Sequence, residues 1–151
     1  VLGNHLTVLT NQSETNVFYD LIEGRTPKGY QTPPHRHTRY SEQFFVLDGE
    51  FTIWAEEQTT VLRSGDTFVI PAGVVHVVAA TGEQDVSRGL VIASPGGFAS
   101  VIEATGVPDT GGLAPEPTAA EIEEFTRRSA EIGDEILGPP GSLPADVLLA
   151  P

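Results

Sequence analysis

The chain contains no cysteine, which removes disulfides, thiolate metal ligands and thiol catalysis at once. Basic residues are few: 8 Lys and Arg stand against 21 Asp and Glu, for a formal net charge of −13. A surface of that sign repels phosphate backbones and anionic lipid, so neither nucleic acid nor membrane is an expected partner. Long apolar runs are missing too. No stretch approaches the ~20 consecutive apolar residues of a membrane-spanning helix. Nor does a basic-then-apolar leader open the chain at Val1-Leu2-Gly3. A cytoplasmic location is therefore expected, with secretion after removal of a leader left open. Asn11-Gln12-Ser13 matches a glycosylation sequon, a tripeptide common by chance.

At 151 residues with 39% hydrophobic content the chain is one domain's worth of soluble protein. Its first hundred positions are short β-rich runs at 6–10, 17–22, 43–47, 51–55, 60–62, 67–70, 74–80 and 89–93. Turn residues separate them: Glu23-Gly24 closes the second run, and Asp48-Gly49 reads as a hairpin turn between the third and fourth. Many short strands without intervening amphipathic helices predict an all-β antiparallel sandwich or barrel rather than βαβ units. After Ser94-Pro95-Gly96-Gly97 the pattern changes. A short helix is expected near 98–104, then a loop over 105–117. Thr118 and Glu121 form a capping box, and Ile122, Phe125, Ala130, Ile132 and Ile136 carry a helical stripe through about 137, stopped by Gly138-Pro139-Pro140-Gly141. Residues 1–104 are thus expected to form the β-barrel, with 105–151 contributing loop, C-terminal helix and tail packed on the same domain.

Chemistry concentrates between Gly29 and His76, where three of the chain's 4 histidines fall. The first segment runs Gly29, five residues, His35, one residue, His37, four residues, Glu42, six residues, Gly49; the second runs Gly65, five residues, Pro71, one residue, Gly73, two residues, His76. Side chains two apart on a strand share a face, so His35 and His37 form a two-point chelate. Glu42 lies at an odd offset from His37, so residues 38–41 must bulge or turn for it to rejoin them. His76 comes from another strand, aimed by the Pro71-Ala72-Gly73 turn. Imidazole and carboxylate donors suit one divalent transition metal per chain: Ni, Cu, Co, Mn or Fe, with Zn as another occupant. Three His and one Glu leave positions open for substrate or O₂. His5 stands outside the pattern and is set aside.

These two segments resemble the two motifs of the cupin superfamily. One position departs: that pattern ends with Asn four residues after the last His, and here Ala80 stands there. Asn is not a ligand in it, so the departure touches loop geometry and leaves the ligand set intact. The resemblance covers roughly residues 15–95 and implies a double-stranded β-helix, a jelly-roll barrel with the metal inside, often a homodimer. Within the superfamily the chain resembles quercetin 2,3-dioxygenases. The residues that carry this are Glu23-Gly24, Pro27-Lys28-Gly29, Phe51-Thr52-Ile53-Trp54-Ala55, Thr60-Val61-Leu62-Arg63-Ser64-Gly65-Asp66, Pro95-Gly96-Gly97-Phe98 and Gly106-Val107-Pro108.

That resemblance implies a dioxygenase that opens the central ring of a flavonol with O₂ and releases carbon monoxide. His35, His37, Glu42 and His76 would hold the metal, and Glu42 would also take the proton of the 3-hydroxyl. The partners implied are a small aromatic or enolisable substrate and O₂. Phe44 shares Glu42's face and Val78 shares that of His76, so both would flank the metal, with Phe98 at the barrel mouth; for each, plain core packing is the competing reading. Two other classes stay open. One is a metal-dependent isomerase, cyclase or decarboxylase in which Glu42 moves protons without O₂; the other is a non-catalytic small-molecule-binding cupin.

Overall fold

The computed structural model describes residues 1–109, 111–112 and 114–148. Thr110 and Leu113 of the expected loop, and 149–151 of the expected tail, lie outside the described residues. Nine strands come first: β1 (His5–Thr10), β2 (Asp20–Pro27), β3 (His35–His37), β4 (Ser41–Asp48), β5 (Glu50–Ala55), β6 (Gln58–Arg63), β7 (Thr67–Ile70), β8 (His76–Ala80) and β9 (Val86–Ser94). Then follow α1 (Phe98–Thr105), α2 (Ala119–Glu131), β10 (Asp134–Ile136) and α3 (Pro144–Leu148). Among the described residues the strands form two five-stranded sheets, ordered β1-β2-β9-β4-β7 and β10-β3-β8-β5-β6. Every named pairing is antiparallel. The architecture is the all-β jelly roll of the cupin fold. Among the described residues no helix is long and apolar enough to cross a membrane.

Period-two patterning decides which side chains face in. Along β4 the buried positions are Glu42, Phe44 and Val46; along β2 they are Asp20, Ile22, Gly24 and Thr26. Strand β8, between β3 and β5, is buried at every residue. The inner faces meet in one apolar cluster of Phe44, Val46, Phe51, Ile53, Leu62, Ile70, Val78 and Ala80. Each large side chain buried there stabilises the fold by roughly 1.5–3 kcal/mol. Phe44 and Phe51 pack edge to face at 4.8 Å. Room for Phe44 depends on Gly89, where a Cβ would come within 2.7 Å of the Phe44 ring. Ala80, which stands where the cupin motif has Asn, ends β8 opposite Phe51, as the 74–80 run predicted.

Several expectations need correction. The strands either side of Gly49 do not form a hairpin: β4 pairs with β7 and β9, while β5 pairs with β6 and β8. Gly49, at φ +89°, turns the chain from one sheet to the other. The hairpin lies one strand later, closing at Ala55↔Gln58. The second strand begins at Asp20 and runs through Glu23-Gly24 to Pro27; Val17 and Phe18 sit in an exposed turn instead.

The capping box of α2 is present, with the Thr118 side chain accepting from the Glu121 amide. The helix, however, ends at Glu131 rather than near 137. Gly133 at φ +93° breaks it in the left-handed conformation common just past a helix C-terminus. The chain then extends as β10, which pairs with β3.

Candidate metal centre

His35 and His37 project from the same short strand, and His76 stands opposite His35 in the β3–β8 register. The ring centroids are 4.1 Å apart for His35–His76 and 5.0 Å for both His35–His37 and His37–His76. One ligating nitrogen from each lies within 4.8 Å of the others. Glu42 arrives from the opposite sheet. Between His37 and Ser41 the chain turns a corner from β3 to β4, and this crossing, not a bulge, resolves the odd offset. Glu42 sits between Ala93 and Ile70 in register, facing the histidines, with Oε2 3.0 Å from His37 Nε2.

The Nδ1 atoms of the three rings are all engaged. His35 Nδ1 lies 2.8 Å from the Pro33 carbonyl, and His76 Nδ1 lies 3.0 Å from that of Val74. A carbonyl can only accept, so both Nδ1 atoms carry the proton and both Nε2 lone pairs are free. His37 Nδ1 lies 2.7 Å from Asp134 Oδ1. His76 Nε2 is fully buried and has no hydrogen-bond partner, a costly state for a polar atom unless something else binds it. Two donors about 2.1 Å from one ion at a right angle stand about 3 Å apart, the separation of Glu42 Oε2 from His37 Nε2. The three imidazoles suit a divalent transition metal; Glu42 touches His37 but is not among the residues whose ligand atoms all lie within 4.8 Å of one another.

Electrostatics divide the histidines. Burial, with the charges of its two neighbours, holds His35 well below the ordinary imidazole range. Burial likewise lowers His76. Burial pulls His37 down as well, but hydrogen bonds and charge from Asp134 and Glu42 outweigh it and raise it to about 9. Burial pushes Glu42 up, and the hydrogen bond and charge of His37 overcome this to hold it at about 2. In the metal-free protein His37 and Glu42 are thus an ion pair.

Phe44 and Val78 both lie in the apolar cluster, each two residues beyond a polar member of the site on the same strand. Phe98 is half-buried as the first residue of α1. His5 is not part of the cluster; its Nδ1 lies 3.3 Å from Asp109 Oδ2.

Two residues escaped the sequence reading. Tyr40 stacks on His37 at 4.3 Å and 23°, and Asp134 hydrogen-bonds it from 97 positions away. No spacing rule reaches so far; the one local signal was Gly133, a helix-ending residue placed inside the supposed helix.

Comparison with known proteins gives three kinds of match. Residues 23–92 match the Cupin domain family. Quercetin 2,3-dioxygenase of Bacillus subtilis (strain 168) is 25% identical over 133 residues, covering 87% of this chain and 39% of that protein. Quercetin 2,3-dioxygenase of Aspergillus japonicus is 34% identical over 70 residues, 43% of this chain and 19% of that one. The chain spans about two-fifths or less of the length of these curated relatives. Among solved structures, KdgF from Halomonas sp. superimposes with a TM-score of 0.58 at 21% identity, covering 65% of this chain and 85% of that one; this likeness concerns the fold.

Proposed function

We propose, from the premise that this chain belongs to the cupin superfamily and resembles quercetin 2,3-dioxygenases, that it is a metal-dependent dioxygenase opening the central ring of a flavonol with O₂ and releasing carbon monoxide. The observation that carries this reading is Glu42. A buried carboxylate comes from the sheet opposite the three histidines, in contact with His37 Nε2; in the reaction it would exchange that contact for one with a substrate hydroxyl.

His35, His37, His76 and Glu42 would hold one divalent transition metal. Bound there, such an ion supplies Lewis-acid activation of the substrate oxygen and a means of engaging O₂. The chain's own residues do the rest. Glu42 accepts the 3-hydroxyl proton at Oε2. At about 2 it is a weak base while paired with protonated His37, and a bound cation would also hold it low, so proton transfer requires its carboxylate to swing away from the metal. The backbone carbonyls of Pro33 and Val74 hold the imidazoles of His35 and His76 in one tautomer. Phe44 and Val78 supply an apolar wall suited to a flat ring, and the barrel limits water around the anion formed.

The test is direct. The metal-free protein is loaded with Ni, Co, Mn, Fe or Cu, quercetin is added in air, and released carbon monoxide is measured. Carbon monoxide matching flavonol loss, and absent in Glu42→Ala, is the expected result. None from any loaded metal, despite confirmed occupancy, rejects ring-opening dioxygenation. Turnover of an enolisable substrate without O₂ would move the protein to the isomerase, cyclase or decarboxylase class.

A further inference from the structure

The three imidazoles are held in two different ways. His35 and His76 each lean on a backbone carbonyl two residues back in their own segment. His37 leans on a carboxylate: Asp134 Oδ1 is 2.7 Å from its Nδ1, and the Asp134 side chain is only 4% exposed. Asp134 belongs to β10, outside the 23–92 segment that matches the Cupin domain family.

The segment bearing Asp134 is fastened at both ends. At one end the Thr38 amide and hydroxyl both donate to the Gly133 carbonyl, at 2.9 and 2.7 Å. At the other the Leu137 amide donates to the Pro34 carbonyl at 2.8 Å. Between them Asp134 stands opposite His37 in register, and the guanidinium of Arg36 grips Glu135. Arg39, at the corner between β3 and β4, donates to the Glu131 carbonyl at 3.1 Å. The segment 131–137 thus braces both the His-x-His strand, through β10, and the corner that carries Glu42 to the opposite wall, through the Glu131 and Gly133 carbonyls.

From this arrangement we infer that Asp134 is a positioning residue of the metal centre, fixing His37 as the Nδ1–H tautomer with Nε2 aimed at the ion, so that the C-terminal segment is a working part of the site. A carboxylate accepting from the second nitrogen of a ligating imidazole sets the ring's orientation and raises its donor strength. The ring cannot turn over without leaving a buried N–H unpaired. Tyr40, stacked on its face, closes the remaining freedom. The inference rests on the metal-centre reading and is independent of which reaction that centre performs.

Zinc is the probe, because it is diamagnetic and suits N and O ligands. Zinc affinity is measured by competition with a chromogenic chelator for the wild type, Asp134→Ala, Asp134→Asn and Glu135→Gln. The long-range ¹H–¹⁵N spectrum of the zinc-loaded protein reports the His37 tautomer. Asp134→Ala is expected to weaken zinc about 10–100-fold and to lose the downfield His37 Nδ1–H signal. Asp134→Asn keeps an acceptor without the charge, so a smaller loss and a shifted Nδ1 resonance are expected. Glu135→Gln removes a half-exposed ion pair from the same strand and should leave affinity and tautomer unchanged. Wild-type affinity with an unshifted Nδ1 in the Asp134 variants overturns the inference; if Asp134→Ala does not fold, Asp134→Asn decides. An equal loss in Glu135→Gln also overturns it, reducing Asp134 to strand docking. Absence of zinc, cobalt and nickel binding by the wild type instead removes the metal-centre reading itself, before any variant is compared.

Discussion

Raising the pH should strengthen metal binding by displacing one proton, not three. Burial leaves His35 and His76 below the ordinary imidazole range, so both are neutral at pH 7. His37 alone is raised, to about 9, by its two carboxylate partners. A metal taking His37 Nε2 must displace that proton. Apparent affinity should then rise about tenfold per pH unit until about pH 9 and level off. At pH 7 the competing proton costs roughly a hundredfold, or about 3 kcal/mol. Calorimetric titration with zinc at pH 7, in buffers of different ionisation enthalpy, counts the protons released. A count near one and a unit slope of log affinity against pH are expected. A flat affinity between pH 7 and 8.5, or a count near three, would refute the assignment of the proton to His37.

The same pair makes the metal-free protein's stability depend on pH. The folded His37 value lies above its ordinary 6.5, so its contribution is complete below about 6.5 and is lost as pH rises through about 9. The folded Glu42 value lies below its ordinary 4.5, so its contribution is complete above about 4.5 and is lost as pH falls through about 2. His35 and His76, held below 6.5 in the folded chain, take up protons on unfolding, so they make stability fall as pH drops below about 6.5. Thermal melts without metal should therefore peak near pH 6.5, declining on the acid side through these two and on the alkaline side through His37. Zinc should abolish that alkaline decline.

Glu42→Ala keeps all three imidazoles and should retain part of the metal while abolishing carbon monoxide release, whereas His76→Ala should lose most of the metal; equal loss in both, read by metal analysis, would end the case for a separate proton-moving role. Asp20 is fully buried and accepts from the Gly97 and Ala99 amides at 2.7 and 2.9 Å at the start of α1. Its replacement by Ala strands two buried donors and should cost about 3 kcal/mol in urea unfolding, and a loss under about 1 kcal/mol would contradict this. Gly133→Ala puts a Cβ 2.6 Å from Thr38 Oγ1 at a left-handed φ of +93°. Strain of about 1–3 kcal/mol should loosen β10, and zinc affinity should fall with it; unchanged melting and affinity would show that the segment tolerates the shift.

What the sequence by itself determined is local or periodic. His-x-His shares a face because strands repeat every two residues, and the Pro71-Gly73 turn precedes His76 by a fixed step. Thr118 and Glu121 satisfy each other within one helical turn. The odd Glu42 offset also forced a change of direction before position 42. The tertiary structure decided which strands meet. Gly49 signals a positive φ, but a hairpin turn and a corner between sheets use the same backbone conformation, and only the pairing of β4 with β9 and β5 with β8 separates them. Ile132 and Ile136 are spaced as on a helix, yet Gly133 breaks it, and the extended chain finds its partner in β3. Asp134 reaches His37 only through that pairing, since a contact across 97 residues depends on how whole sheets bury their faces; Gly133 marks the end of the helix but not the partner the chain then finds.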